Sequence, residues 1–150
     1  MSVRELTGAR ELNVDPELVR LIIVKARAAL FPVPDAEDDT PLRELEIDAA
    51  TKVEEDETAL LSEEVAADAT ADEAAAMIDS LNMDEQAEIM ALTLIGRGDF
   101  EPVELEVAVR EAKVRATGPA SAWLFAMELF PSHLGDGLDR YEAWAARQAG

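Results

Sequence analysis

The stretch NMDEQAEIMALTLIGRGDF, residues 82–100, decides how this chain folds. Asn82 with Glu85 three residues later is the pattern of a capping box, in which each side chain bonds the other's backbone N–H at a helix N-terminus. The apolar residues that follow at helical spacing are Met83, Ala87, Met90, Ala91, Leu94 and Ile95. The stretch therefore predicts a helix that ends at Gly96 or Gly98, where a left-handed glycine can close it.

The corner after this helix contains Arg97-Gly98-Asp99, the tripeptide of cell-adhesion ligands. A calcium loop that starts at Asp99 is excluded, because the spacing of oxygen ligands that calcium requires is absent. Asp99 is expected to cap the next helix, with Pro102 in its first turn. Arg97 either caps the carbonyls of the preceding helix or forms an exposed contact, so Arg97 and Asp99 are candidate interaction residues.

Two helices are predicted before this stretch. Asp15 is a suitable N-cap and Pro16 suits a first turn, so a helix is expected from there to about Leu30. Apolar residues nearly surround its middle, which predicts a central place in the core. A second helix is expected from about Asp72 to Leu81.

The segment after the corner is ambiguous by periodicity. Residues 102–118 alternate like a strand, but they also place apolar residues on one helical face. A lone strand is not stable, and a partner strand is missing, so we predict a helix. A fifth helix is expected over 120–130 with Pro131 as its stop, followed by a short turn and a last amphipathic helix.

The acidic residues are concentrated in one part of the chain. The formal net charge is −20, and residues 35–73 hold 16 acids and 2 bases. Such composition is typical of a solvated linker, although residues 41–50 and 58–67 have the pattern of short helices. We predict an all-α fold, a small irregular bundle of about five or six helices. It forms a single domain over 1–150, interrupted after the first helix by an acidic, largely disordered insertion at about 35–71.

Three segments carry a resemblance to a known family: LNVDPELVRLIIVKAR (12–27), IDSLNMDEQAEIMALTLIGRGDF (78–100) and LGDGL (134–138). They resemble a family of short, mostly alphaproteobacterial proteins that is described only as a domain of unknown function. The resemblance covers roughly 1–34 and 74–150. It implies a helical fold and a bacterial, cytoplasmic context, and it implies no activity, cofactor or catalytic residue.

Most catalytic chemistries are excluded by residue types. The chain has no cysteine and a single histidine, His133, so thiol chemistry and histidine-rich metal sites are ruled out. Neither a GxSxG nucleophile elbow nor a phosphate-binding glycine loop occurs. We expect no catalytic, cofactor-binding or metal-binding residues, and no cofactor. An enzyme or ligand-binding bundle that uses paired carboxylates stays open as an alternative.

The charge also restricts the partners. A field of this sign repels nucleic-acid phosphates and anionic membranes, and it attracts basic proteins. We expect a small helical interaction or adaptor protein that binds a basic protein partner; an acidic nucleic-acid mimic is a further alternative. A cytoplasmic location is expected, since no apolar run approaches the roughly 20 residues of a membrane span. The candidate contacts besides Arg97 and Asp99 are Tyr141, Trp144, Glu54, Glu55, Asp56 and Glu57.

Overall fold

The computed structural model of the protein describes residues 10–30 and 68–149, and all regular structure within them is helical. The helices are α1 (Pro16–Leu30), α2 (68–79), α3 (Met83–Arg97), α4 (Leu105–Arg115), α5 (Ala120–Phe125) and α6 (Phe130–Ala149). A 3-10 turn, Pro102–Glu104, precedes α4. The predicted all-α fold is confirmed for these residues. The insertion predicted at 35–71 lies outside the described residues, except that 68–71 belong to α2.

Helix α3 is the centre of the bundle. Its residues 87–95 are all buried, and it packs most extensively against α6 and next against α4. The prediction that α1 is central was wrong, because α1 buries a single face and leaves Leu21 and Val24 46% and 62% exposed. A run of apolar residues around a helix is therefore covered only where neighbouring helices surround it.

Both ends of α3 follow from local side-chain chemistry. The capping box is confirmed: the Asn82 carboxamide accepts from the backbone N–H of Glu85 at 2.8 Å, and the Glu85 carboxylate accepts from that of Asn82 at 3.0 Å. Gly98 is the left-handed residue, with φ of 96°, and its N–H donates to the Ile95 carbonyl. Met83, predicted to lie on the apolar face, is instead 76% exposed at the start of the helix.

Helices α3 and α6 cross at two glycines. A Cβ atom on Gly96 would lie 1.7 Å from the carbonyl oxygen of His133, and one on Gly137 would lie 1.7 Å from that of Leu92. The two backbones therefore approach more closely than any side chain would permit. Gly96 serves this contact, while Gly98 serves the helix end.

Residues 130–149 form one long helix, α6, where a short turn and a shorter last helix were predicted. Pro131 was expected to stop a helix, but it lies in the first turn of α6, where its missing N–H costs no intrahelical hydrogen bond. Gly135 and Gly137 were expected to form a turn, and both lie inside α6. Helix α5 is correspondingly shorter than predicted and ends at Phe125.

Helix α4 confirms the helical alternative for its segment and corrects its start. Glu104 accepts from the backbone N–H of Glu101 at 2.8 Å, so these two residues stabilise the 3-10 turn, and Asp99 does not cap it. Leu105, Ala108, Val109 and Ala112 form the buried face. The Glu111–Arg115 ion pair closes at 3.1 Å, as its spacing predicts.

Candidate functional site

The chemically distinctive group of the bundle is the Glu88 carboxylate on α3, which is fully buried. It faces the chain segment that precedes α1. Oε2 accepts from Arg10 Nη1 at 2.5 Å and from the backbone N and Nδ2 of Asn13 at 3.0 and 3.1 Å. Oε1 accepts from the backbone N–H of Val14 at 2.9 Å. A buried carboxylate is tolerated at this position because four donors replace its hydration.

Arg10 joins this carboxylate to two further elements. Its side chain is ion-paired with Glu88 on α3 and with Glu106 on α4. Partial burial acts to lower the pKa of Arg10, but the hydrogen bonds and charges of the two carboxylates outweigh it and raise that pKa above its ordinary value. Arg10 is consequently a permanent cation shared between two helices.

Tyr141 on α6 completes the cluster, which we call the Glu88 cluster: Glu88, Arg10, Asn13, Val14, Glu106 and Tyr141. The Tyr141 hydroxyl donates to the Arg10 carbonyl at 2.6 Å and accepts from the Arg10 backbone N–H at 3.2 Å. Burial raises the pKa of Tyr141, and the hydrogen bond to the Arg10 backbone counteracts only part of that effect. Tyr141 is 3% exposed, so its role within the described structure is internal.

The arrangement fixes a chain segment and offers no catalytic geometry. Both oxygens of Glu88 are engaged by donors, and its charged partner, Arg10, stays protonated. A general acid or base needs a proton that it can exchange with a substrate. Glu88 instead fastens residues 10–14 to the bundle, much as a helix cap fastens a turn.

The buried position of Glu88 was not predicted from the sequence. In a chain with 33 acids, one more glutamate in a helix predicts a solvated position. One signal was present: Glu88 stands between Ala87 and Ile89, inside the apolar stretch that predicts the core helix. Its donors lie 74 to 78 residues away in the sequence, so their identity was outside the reach of local patterns.

A second polar contact, which is partly buried, joins α2 to α5. The Ser121 hydroxyl donates to Asp79 Oδ2 at 2.6 Å, and the Ser121 backbone N–H donates to Oδ1 at 3.1 Å. Asp79 thereby caps the N-terminus of α5. Ser121 is bonded to a carboxylate and not to His133, so this contact does not form the serine–histidine pair of a hydrolase.

The Arg97 and Asp99 side chains are bonded to each other. Arg97 donates to Asp99 Oδ2 from Nε at 2.9 Å and from Nη2 at 2.5 Å, and its Nη1 lies 3.1 Å from Met127 Sδ. The carbonyl at the end of α3 is instead bonded by Arg140, whose Nη1 donates to Ile95 O at 2.6 Å. Arg97 therefore does not cap α3. It forms an exposed pair with Asp99 beside the start of α6.

The other candidate contacts differ in position. Trp144 is partly buried and packs against Tyr141, with ring centroids 5.7 Å apart. Glu54, Glu55, Asp56 and Glu57 lie outside the described residues. The structure therefore brings Arg97 together with Asp99 and Tyr141 with Trp144, as two separate pairs.

Residues 10–30 and 68–149 hold no group of three or more histidine, cysteine, aspartate or glutamate side chains placed to bind a metal ion. Among the same residues, none of the helices combines the length and the apolarity that a membrane crossing requires.

Part of the chain matches a known protein family. Residues 71–143 match a family described as a protein of unknown function, DUF3775. The matched range runs from α2 into α6 and includes the glycine crossing, Glu88 and Tyr141. It supports the expected resemblance to a family of unknown function. No curated protein and no solved structure is significantly similar to the chain.

Proposed function

We propose that this protein is a non-catalytic helical docking module that binds a basic protein through residues 35–71, which we call the acidic tract. The observation that carries the proposal is the concentration of charge. Residues 35–71 hold 14 acids and 2 bases. A field of this density attracts cationic side chains and raises the rate at which a basic partner associates.

The helical body supports this proposal by holding both flanks of the acidic tract. Lys25 on α1 is ion-paired with Glu73 on α2. Ile22 on α1 and Ile78 on α2 are fully buried in the same core cluster. The helices on both sides of the acidic tract therefore belong to one folded body, which would be joined to any protein that the tract binds.

The internal use of polar groups favours docking over catalysis. Glu88, Asp79 and Tyr141 are all committed to contacts between elements of the bundle. An acid–base enzyme would need a second carboxylate that shares an open site with Glu88. The neighbouring carboxylate, Glu106, is instead joined to the same arginine.

A nucleic-acid mimic has less support than a docking module. A mimic would display its acids as a regular array on ordered helices. The exposed acids of the described helices are interleaved with cations, as in Arg20–Glu142 and Lys113–Asp84. Most of the excess of acidic over basic residues in the chain belongs to the acidic tract.

Comparative affinity capture from the native cell tests the proposal. The bait is the full chain, and the test variant carries Glu54→Gln, Glu55→Gln, Asp56→Asn and Glu57→Gln. A control variant neutralises four exposed acids of the body, Asp72, Glu128, Asp136 and Asp139. Exposed ion pairs contribute about 0.2–1 kcal/mol each, so we expect recovery of a basic protein to fall about ten-fold for the test variant.

The control variant should retain most of the captured protein, and added salt should release that protein from the unmodified chain. Equal recovery by the test and control variants would overturn the proposal. Capture that is unaffected by salt would overturn it as well.

A further inference from the structure

Helix α1 carries an apolar stripe on the side that faces away from the bundle. Leu21 and Val24 are 46% and 62% exposed there, and Ala28 is exposed one turn further on. Together with the exposed Glu17 they follow spacings of four, three and four residues, the repeat that lets two helices pack along one another. We call these four residues the α1 stripe. Its spacing suits a second helix, and none of the described helices covers it.

The N-terminal end of the α1 stripe carries an unbalanced negative charge. Arg20 is ion-paired with Glu17 at 3.6 Å and also with Glu142 on α6. Two carboxylates therefore share one guanidinium, and one negative charge is left without a cation. The Glu17 side chain is 84% exposed, so a cation from outside the bundle can reach it.

The C-terminal end of α1 carries the opposite charge. Arg27 is exposed two turns beyond Arg20, and within the described residues it has neither an ion pair nor a hydrogen bond. Lys25, by contrast, is ion-paired with Glu73 on α2. One helix thus presents an unbalanced acid at one end of an apolar stripe and an unbalanced guanidinium at the other.

We propose that the α1 stripe binds the α1 stripe of a second copy of this chain, with the two helices antiparallel about a twofold axis. The axis passes between Leu21 and Val24, so Leu21 of each copy packs against Val24 of the other. The stripe is symmetric about this point, because Glu17 and Ala28 each lie four residues outside the central pair. A twofold dimer requires such a self-complementary surface.

The charges at the two ends of α1 match in this arrangement. Glu17 of one copy lies opposite Ala28 of the other, and Arg27 immediately precedes Ala28 in the chain. Each Arg27 therefore faces the Glu17 and Glu142 carboxylates that share Arg20 in the other copy. The contact removes the unbalanced charge at both of its ends, so the gain from one complementary pair is obtained twice.

The charge around α1 favours a second copy over an acidic or a basic partner. An acidic segment would be repelled at the N-terminal end of the stripe, and a basic one at its C-terminal end. The charged residues of α1 and their ion-pair partners are balanced, with three acids and three bases: Glu17, Glu73, Glu142, Arg20, Lys25 and Arg27.

The net charge of −20 opposes self-association, but much of it lies outside this contact. Residues 35–71 hold 14 acids and 2 bases, a net of −12, which leaves −8 for the rest of the chain. At an ionic strength of about 0.15 M, charges further apart than about 8 Å are largely screened. The balanced charges at the stripe itself therefore decide whether two copies associate.

Reciprocal charge reversal tests the dimer. One full-length chain carries Arg27→Glu and another carries Glu17→Arg, and the dimer Kd of each is measured by analytical ultracentrifugation at about 0.15 M salt. Each substitution places like charges at both ends of the contact, so we expect the Kd to rise at least about ten-fold. An equimolar mixture of the two chains brings opposite charges together at both ends. The mixture should therefore dimerise about as well as the unmodified chain.

Control chains carry the same changes of charge away from α1, as Arg110→Glu and Glu128→Arg. Both residues are exposed, and within the described residues neither has an ion pair or a hydrogen bond, so these chains should keep the Kd of the unmodified chain. Equal weakening in the control chains, or a mixture that does not recover, would overturn the proposal. An unmodified chain that stays monomeric at about 1 mM would overturn it as well. The dimer does not involve the acidic tract, so this result is independent of the proposed binding of a basic protein.

Discussion

A single buried carboxylate organises the side of the bundle where the described chain begins. Glu88 receives donors from Arg10, Asn13 and Val14. Desolvation of the charge is costly, and only the full set of donors offsets it. The position of the segment before α1 therefore depends strongly on one residue, because the charged Glu88 carboxylate holds that segment on the bundle.

Glu88→Gln tests this dependence. The amide keeps the shape but loses the charge and presents an N–H group to a site that offers only donors, so Arg10 loses its buried counter-ion. We expect a loss of about 2–3 kcal/mol in the free energy of unfolding, measured by chemical denaturation. Glu142→Gln, which breaks the partly exposed pair with Arg20, is the control and should cost less than about 1 kcal/mol. Equal costs for the two variants would show that the Glu88 cluster is not a buried ion pair in solution.

Tyr141 gives a spectroscopic test of the same cluster, since it is the only tyrosine in the chain. Burial raises its pKa, so the phenolate absorbance should appear at higher pH than in a tyrosine peptide, whose pKa is about 10. The folded pKa is above the unfolded one. Its contribution to stability is therefore fully present below about pH 10 and is lost as the pH rises through the folded value. Titration at the peptide value would contradict the buried contact with Arg10.

Capping residues and apolar periodicity predicted most of the helices. These local signals failed where contacts between distant segments determine the structure. Asp15 with Pro16, and Asn82 with Glu85, located the starts of α1 and α3 because capping is a local interaction. The glycines of LGDGL predicted a turn, since glycine is unfavourable inside a helix. In α6 the close crossing with α3, which Gly137 permits, offsets the free-energy cost of glycine in a helix. The identity of the crossing partner is not encoded near the glycine.

Alanine at two glycines of the same helix tests the crossing. In Gly137→Ala the new Cβ would meet the Leu92 carbonyl at 1.7 Å, so the two helices must separate, and we expect destabilisation of about 3 kcal/mol. In Gly135→Ala the nearest atom is Arg27 Nη2 at 3.7 Å, an ordinary contact, so the variant should be unchanged or up to about 1 kcal/mol more stable. Thermal denaturation of both variants provides the measurement. Similar melting temperatures would show that α3 and α6 do not cross at this point.

For the whole molecule, composition predicted the class of the fold. The candidate sites could not be predicted in the same way, because contacts between distant segments form them. Alanine-rich periodic segments without partner strands predicted an all-α bundle, which the described residues confirm. Trp144 was a candidate contact residue, and it is partly buried beside Tyr141, whose hydroxyl is hydrogen-bonded to Arg10. Arg97 and Asp99 were found as candidates because they stand at a helix end. The ion pair between Arg97 and Asp99 depends on how the chain turns at Gly98, which the tripeptide sequence alone does not specify.

The charge distribution is the property of the whole chain on which the proposed function depends. The acidic tract carries far more acids than its own cations can pair. The described helices, by contrast, contain several ion pairs between elements, such as Lys25–Glu73 and Arg20–Glu142. The described helices thus pair many of their charges with one another, while the net charge of the acidic tract is the property on which the proposed binding of a basic protein depends.

The most direct test of the acidic tract as a binding element is the Kd of a captured, purified partner, measured at low and at high ionic strength. Binding to the unmodified chain should weaken steeply with salt. The variant that neutralises Glu54, Glu55, Asp56 and Glu57 should bind about ten-fold more weakly at low salt and show a shallower salt dependence. A Kd that is the same for both chains and insensitive to salt would contradict the proposed function.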